Sequence, residues 1–581
     1  MNATLKKAVG VCAIAALAMS VVAGCGPEPQ QSDPKRLRVS LFGWGPGDDG
    51  ADTFVSGMPA YQDAAVVSVR VTEPGAGRIL EEANGEISER SVRIPDVPFG
   101  TGLRLEMDIL NGAGEVLASG ATPQFDFDET QSSRELRMMV MPLNSFAPAG
   151  SVVTGQDNQQ AFIQSRMDYR SAFELSGGAT DIWLGRVGHA AVPTSDGKVL
   201  VVGGANVTPG TAPGAIPKFD NVYSDLQIFD PRTGYFTDLS YDEASDQVRP
   251  DGADRLVDAR AFHTVTPIGN DRFIVSGGYN TLVDVTRPVR SLELIDLNAE
   301  PGQRVQPVTD STGVNPLQTL APRGFHESVY LEDSGLLLMI GGIGEGSEDI
   351  MGDIEVIDIA NQRVLDQRFP LNTARTDHQA VPLADGSIWI IGGRNNDAVL
   401  GSTEIVTPNG GGFDITPGPA LKQARYAFSA AKISQGDGTR VVVLGGFTSL
   451  DGEPTATYEV GVKGLESFVS GPTWAFGMAR GGLQALVLPQ TQDILLFGGR
   501  DASNNTIGSV ERLQFLGLDE PNPYQLLAAD IGSFVVDRRD ATFSLMTSGQ
   551  VLVVGGEGKV RDVFVALDSA ELYNPRDPIV P

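Results

Sequence analysis

Residues 375–393 read RTDHQAVPLADGSIWIIGG, and this stretch decides the fold because the chain repeats its plan. Apolar runs end in Gly-Gly seven times: VLVVGG at Gly203, FIVSGG at Gly277, LLMIGG at Gly341, IWIIGG at Gly392, VVVLGG at Gly445, ILLFGG at Gly498 and VLVVGG at Gly555. Successive doublets lie 51 to 74 residues apart, and an arginine stands 17 to 20 residues before each: Arg186, Arg260, Arg323, Arg375, Arg425, Arg480 and Arg538. Three residues after the first four arginines come His189, His263, His326 and His378, which are all 4 histidines of the chain. Phe428, Leu483 and Ala541 take that place in the other units. Self-similarity at this period outranks any local reading of secondary structure.

Each doublet is followed by a variable loop and a third apolar segment: LQIFDPRTG (226–234), SLELIDL (291–297), IEVIDI (354–359), STEIVTP (402–408), the weaker ATYEV (456–460), SVERL (509–513) and SAELYNP (569–575). Tyr235-Phe236, Phe369 and Trp474 mark a fainter fourth strand before the next arginine. Four short strands per unit, none able to bury both faces alone, predict blades stacked around an axis. The two glycines let the chain turn out of a crowded inner strand at positive φ. The pattern resembles the kelch repeat, with its arginine or histidine near the first strand, Gly-Gly after the second and S-x-E-x-Y-x-P in the third. That resemblance implies an all-β, seven-bladed kelch-like β-propeller over residues 178–581, and a small β-sandwich domain is expected before it from the separate pattern of residues 36–145. No fourth strand follows the last unit, so FELSGGATDIWL (173–184) is the expected donor that closes the ring.

Composition bounds the partners. Lys+Arg of 43 against Asp+Glu of 73 gives a net charge of -30. Such a surface repels phosphate backbones, which excludes nucleic acid. At the N-terminus, Lys6 and Lys7 precede an apolar run from Ala8 to Ala18, shaped as a signal-peptide core rather than a membrane span. Val22-Ala23-Gly24-Cys25 resembles the bacterial lipobox. The resemblance implies a signal peptide over 1–24, acylation of Cys25 as a lipid anchor in the bilayer, and a polar tether over 25–35. Gly26 after the cysteine resembles outer-membrane sorting, which places the protein in the bacterial cell envelope. The only other cysteine is Cys12, inside the leader, so no disulfide staples the exported part.

Residues 36–145 break from the repeat. Val67, Val69 and Val71, then Leu103, Leu105, Met107 and Ile109, then Leu136, Met138 and Val140 alternate with polar residues. Period two predicts strands buried on one side, best met by an antiparallel sandwich that loosely resembles immunoglobulin-like or transthyretin-like modules. Residues 146–177 read as a linker. Within the array, the acidic insert at 241–260 and the Pro-containing insert at 299–322 predict surface excursions.

Chemistry is sparser. Kelch-like propellers include a copper radical enzyme resembling galactose oxidase, whose cofactor needs a tyrosine cross-linked to cysteine, and no cysteine follows Cys25. The four histidines share one repeat phase, which spreads them around a ring and favours structural roles over a metal site. The repeated arginines are expected to make inter-blade ion pairs and hydrogen bonds. HExxH, GxSxG and Walker patterns are absent. No metal or cofactor is implied. What remains is the loops after each Gly-Gly, expected near the axis on one face: Asn206, Tyr279 with Asn280, Arg394 with Asn395, Arg500 and Lys559 are the candidate ligand-binding residues. They suit a glycan or an acidic peptide. The expectation is a non-catalytic binding or scaffolding module for an envelope protein or glycan, with a carbohydrate-active lyase, hydrolase or epimerase as the competing class.

Overall fold

The computed structural model describes residues 18–22, 36–43, 64–73, 78–86, 100–149 without 123 and 128–132, and 185–575. The last stretch has breaks at 208–218, 233, 243–246, 249–252, 283–284, 436–437, 471–475, 490, 516–525, 535, 561–562 and 568. Cys25, most of the expected linker, the 173–184 segment and Trp474 lie outside the described residues. All regular structure in the described part is β.

Each repeat yields one antiparallel sheet of three to five strands. In the fourth, Gln379–Pro382, Ile388–Ile391, Thr403–Pro408 and Phe413–Pro417 pair in that order, with Ile388 opposite Val406 and Ile391 opposite Thr403. The run IWII is continuous rather than alternating because both of its faces are covered. Ile388 and Ile390 join Leu338, Ile340 and Val356 of the preceding repeat, while Trp389 and Ile391 join Val441, Val443 and Phe468 of the next. The same sharing recurs along the array, and Leu552 and Val554 of the last repeat share a core with Val199 and Val201 of the first. The innermost strands likewise touch their neighbours in sequence, and the last touches the first. The succession is β-propeller-like.

The strand that completes the last sheet was misplaced by the sequence reading. Ser145–Ala149 pairs antiparallel with Ala570–Asn574, Phe146 opposite Tyr573. The expected linker therefore begins after Ala149. SFAPA carries no repeat marker and holds a proline, which an outermost strand tolerates because one edge needs no ladder donor. It follows directly on Ser133–Pro142, whose Met141 sits in the core shared by the first and last repeats.

The repeat residues explain one another. Arg375 is fully buried and donates from Nη1 to the Gly392 carbonyl at 2.7 Å and from Nη2 to Glu404 Oε1 at 2.7 Å. Arg260–Glu293, Arg425–Glu459, Arg480–Glu511 and Arg538–Glu571 repeat this pair inside their own units. The glutamate of S-x-E is thus the arginine's counter-ion, and these pairs lie within repeats rather than between them as expected. Contact between repeats is made instead by the arginine's backbone. The second glycine of one repeat donates its N–H to the arginine carbonyl of the next, at 2.9 Å for Gly204 to Arg260, Gly393 to Arg425 and, closing the ring, Gly556 to Arg186.

The N-terminal strands join along one hydrogen-bonded path: 18–22, 36–43, 133–142, 116–121, 100–111, 64–73 and 78–86, with 125–127 against 100–111. The path is mixed, not antiparallel, because Arg36–Gly43 runs parallel to Ser133–Pro142. Val67, Val69, Val71, Leu103, Leu105, Met107, Ile109 and Val140 form one core, as their alternation predicts. The polar face between them is also buried at Ser68, Thr72, Glu106 and Asp108. Arg104 on this sheet donates to the Thr547 carbonyl at 3.0 Å, which ties it to the last repeat. Residues 18–22 fall within the expected leader yet form the edge strand, Ala18 opposite Ser40, and take up the free backbone groups of Arg36–Gly43.

Candidate functional site

In every repeat the residue after the arginine bridges the residue after the Gly-Gly: Val187 with Ala205, Ala261 with Tyr279, Gly324 with Ile343, Thr376 with Arg394, Tyr426 with Phe447, Gly481 with Arg500 and Arg539 with Glu557. The next residue along is left-handed in all of them: Gly188 (φ 60), Phe262 (56), Phe325 (51), Asp377 (52), Ala427 (47), Gly482 (67) and Asp540 (54). These residues hand hydrogen bonds from repeat to repeat in two runs, Phe262 N to Gly188 O at 2.6 Å and Phe325 N to Phe262 O at 3.2 Å in one, Ala427 N to Asp377 O at 3.0 Å and Gly482 N to Ala427 O at 2.7 Å in the other. Left-handed phenylalanine and aspartate cost conformational energy and mark a site to be explained.

The ring has an aromatic arc and an ionic arc. Phe262 and Phe325 stack at 4.3 Å between centroids, with Phe219 6.0 Å from Phe262 and Tyr279 5.9 Å from Phe325. On the other arc, Arg394 lies 5.6 Å over the Tyr426 ring and Arg500 4.7 Å over Phe447, two rings that are themselves 5.3 Å apart. Arg394 is paired with Asp377 at 2.7 Å, and Arg539 with Glu557 at 2.8 Å. Burial pushes the Asp377 and Glu557 carboxyls up, against the opposing pull of these arginines. Arg500 differs. Among the described residues no carboxylate comes within 4 Å of it, and its guanidinium has one side-chain acceptor, Asn504 Oδ1 at 3.3 Å. Burial presses its proton affinity down against the opposing pull of the Asp540 carboxylate, and the nearby Arg539 charge adds to the fall. The Tyr426 hydroxyl meets no partner among the described residues.

The candidate residues from the sequence therefore separate. Arg394 and Arg500 are brought together over one aromatic pair, although the sequence left their convergence open. Lys559 is exposed beside them on the last repeat, 2.9 Å from Asn505 Oδ1. Tyr279 is corrected to a structural role: it is fully buried, and its hydroxyl donates to the Ile343 and Gly344 carbonyls at 2.7 and 3.0 Å. Asn395 and Asn280 turn their oxygens onto backbone N–H groups of their own loops. Asn206 sits in a strand opposite Asn221. The sequence reading missed Phe262, Phe325, Asp377, Tyr426, Asp540 and Arg539. Phe262, Phe325, Asp377 and Asp540 stand two residues after their arginines, a place that reads G, F, F, D, A, G, D, and Tyr426 and Arg539 stand one residue after, a place that reads V, A, G, T, Y, G, R; neither place carries a repeat marker.

The histidines pack between repeats. Alanine in place of Gly203, Gly277, Gly341 or Gly555 would bring its Cβ within 3.0 Å of the ring of His263, His326, His378 or His189 respectively. Phe428 and Leu483 fill the same space against Gly392 and Gly445, so the position needs bulk rather than a ligand. Burial, helped by the Arg186 charge, pushes His189 down to about 3, and burial with Arg323 does the same to His326. Among the described residues no group of three or more His, Cys, Asp and Glu is placed to hold a metal ion.

No protein-family model and no curated protein matches the chain. Among solved structures it is similar to a fungal alcohol oxidase with catalytic diversity among the AA5 family, in complex with copper: 15% identity, 68% of this chain and 75% of that one covered, TM-score 0.47. It is also similar to YjhT, with 10% identity, 60% of this chain and 98% of that one covered, and TM-score 0.41. Likeness at this level carries no reading of activity.

Proposed function

We propose that the chain is a seven-bladed kelch-like propeller with a small β-sandwich before it, anchored in the bacterial cell envelope through lipid on Cys25, and that it is a non-catalytic binding module. The observation that carries the binding reading is Arg500. It is a partly buried guanidinium with no carboxylate within 4 Å among the described residues, Asp540 acting on it only at longer range, and it is set beside Arg394 and Arg539, which are both directly paired. Its forked donors suit a carboxylate or sulfate. The net charge of -30 repels anions at long range, but at about 0.15 M salt screening confines that repulsion to roughly 8 Å, so the local cations prevail at the mouth. Arg500→Ala is expected to weaken binding of an acidic oligosaccharide or peptide by about tenfold or more, as loss of a charge-assisted hydrogen bond implies, with an unchanged melting temperature. Calorimetric titration checks this, and equal affinity in both proteins removes the mouth as an anion site. Product formed from the bound glycan would replace the binding module with a carbohydrate-active enzyme.

The anchor rests on the lipobox at Val22 to Cys25 and on the polar stretch after it. Cys25→Ser is expected to abolish fatty-acid labelling and release the protein from membranes. A serine variant that stays labelled and membrane-bound excludes the lipoprotein reading. Cleavage before Cys25 also removes the 18–22 strand and leaves Arg36–Gly43 at the sheet edge.

A further inference from the structure

The aromatic arc packs on its inner side and leaves Phe262 and Phe325 partly exposed. Phe262 and Phe325 hold left-handed backbones at φ 56 and 51, where the same ring position in the first and sixth repeats is glycine. Glycine satisfies the ring without strain, so each phenylalanine carries a conformational penalty that its contacts with the neighbouring rings must offset. Both rings remain only partly buried although Phe219 and Tyr279 back them. The arc runs directly into the ionic one: the Phe325 carbonyl accepts from Thr376 Oγ1 at 3.3 Å, and Thr376 precedes Asp377 and bridges Arg394. Farther round, the Asp540 side chain is 51% exposed and offers a carboxylate acceptor near Arg500.

Resting on the anion-site reading above, we infer that the ligand is a sugar acid, a uronate residue of an oligosaccharide, that lays the apolar face of its ring against the exposed part of the Phe262–Phe325 pair and turns its carboxylate to Arg500. Each part of the mouth has a matching group. Aromatic faces attract the polarised C–H bonds of a pyranose, the lone guanidinium takes the carboxylate, and the Tyr426 hydroxyl and the Asp540 carboxylate meet the ring hydroxyls. A flexible acidic peptide uses the cations but has nothing flat and rigid for the phenylalanines. A neutral sugar uses the aromatic stack but leaves Arg500 without its anion.

The test is calorimetric titration of the full chain with three probes: a galacturonate oligomer, a neutral galactose oligomer of the same length and pentaglutamate. Phe325→Gly and Phe262→Gly are the informative variants, because glycine fits the left-handed position and melting should shift by only a few degrees. The uronate oligomer is expected to bind the natural protein best and to lose about tenfold affinity in each glycine variant, the scale of an aromatic stacking contact. Arg500→Ala should lower its affinity as well. Pentaglutamate binding that equals uronate binding and is untouched by Phe325→Gly overturns the sugar inference while leaving the anion site standing. Uronate binding unchanged in both glycine variants does the same. Affinity for every probe unchanged in Arg500→Ala overturns both.

Discussion

Gly277→Ala is expected to destabilise the protein by about 3–5 kcal/mol, whereas Gly386→Ala is expected to cost about 1 kcal/mol. Both glycines are left-handed, at φ 62 and 80, so both substitutions carry the conformational penalty of an L-residue in that region. They differ in what a Cβ meets. At Gly386 nothing lies within 4 Å. At Gly277 the new carbon falls 2.3 Å from the Arg323 carbonyl oxygen and 2.5 Å from His326 Cε1, both in the next repeat. The carbonyl is backbone and cannot swing away. It also accepts the 2.9 Å hydrogen bond from Gly278 N that joins the two repeats, so relief of the clash costs that bond too. Denaturant midpoints at constant slope measure the difference. Equal losses at the two positions would mean that the first glycine of the doublet is kept for φ alone, and that close approach of the next repeat's backbone is not what selects it.

This contrast shows why the doublets were legible in the sequence and other parts were not. Gly-Gly after an apolar run is a steric requirement imposed afresh by each neighbour, so it recurs with the repeat. The S-x-E glutamates recur for the same reason, since every buried arginine needs a counter-ion. Whether the arginine's partner lay in its own repeat or the next was not readable, because spacing along the chain does not fix direction across a sheet. Ser145–Ala149 escaped notice because an outermost strand packs on one side and carries little pattern. The mouth was half visible. Arg394 and Arg500 follow a marker that the eye can find, while Phe262, Phe325, Asp377 and Asp540 occupy a place after the arginine where no residue type recurs in all repeats. Tyr279 misled in the opposite way. It follows a doublet as Arg394 and Arg500 do, but a ring of that size at an inter-repeat seam is swallowed by it, and its hydroxyl is satisfied by two carbonyls.

The counter-ion argument makes a prediction of similar size. Arg375→Ala is expected to cost about 3–5 kcal/mol, the usual loss when one member of a buried pair is removed. Arg375 is 0% exposed and the Glu404 side chain 2%, so the abandoned carboxylate has little access to water. Two backbone donors remain to it, Asn372 N at 2.8 Å and Thr373 N at 3.2 Å, which satisfy its oxygens without neutralising its charge. The arginine also holds the Gly392 and Ser402 carbonyls at 2.7 and 3.2 Å, and both acceptors would be left short of a donor. The first repeat supplies a rescue. There Gln227 stands where the other repeats have glutamate, and Asp225, two residues earlier, takes the arginine at 2.9 Å. The third repeat is intermediate, with Arg323 2.8 Å from Asp353 and 3.5 Å from Glu355. Ser402 occupies the place of Asp225 in the fourth repeat. Glu404→Gln alone should therefore destabilise, and Ser402→Asp added to Glu404→Gln should recover part of the loss, because Ser402 lies at an exposed place where Asp225 is buried and water weakens the new pair. Urea denaturation of Arg375→Ala, Glu404→Gln and the double variant decides it. A double variant no more stable than Glu404→Gln would show that the arginine is held by the two carbonyls and that the carboxylate position is incidental. Recovery would show that a repeat requires one buried negative charge against its arginine and accepts it from either end of D/S-x-E/Q.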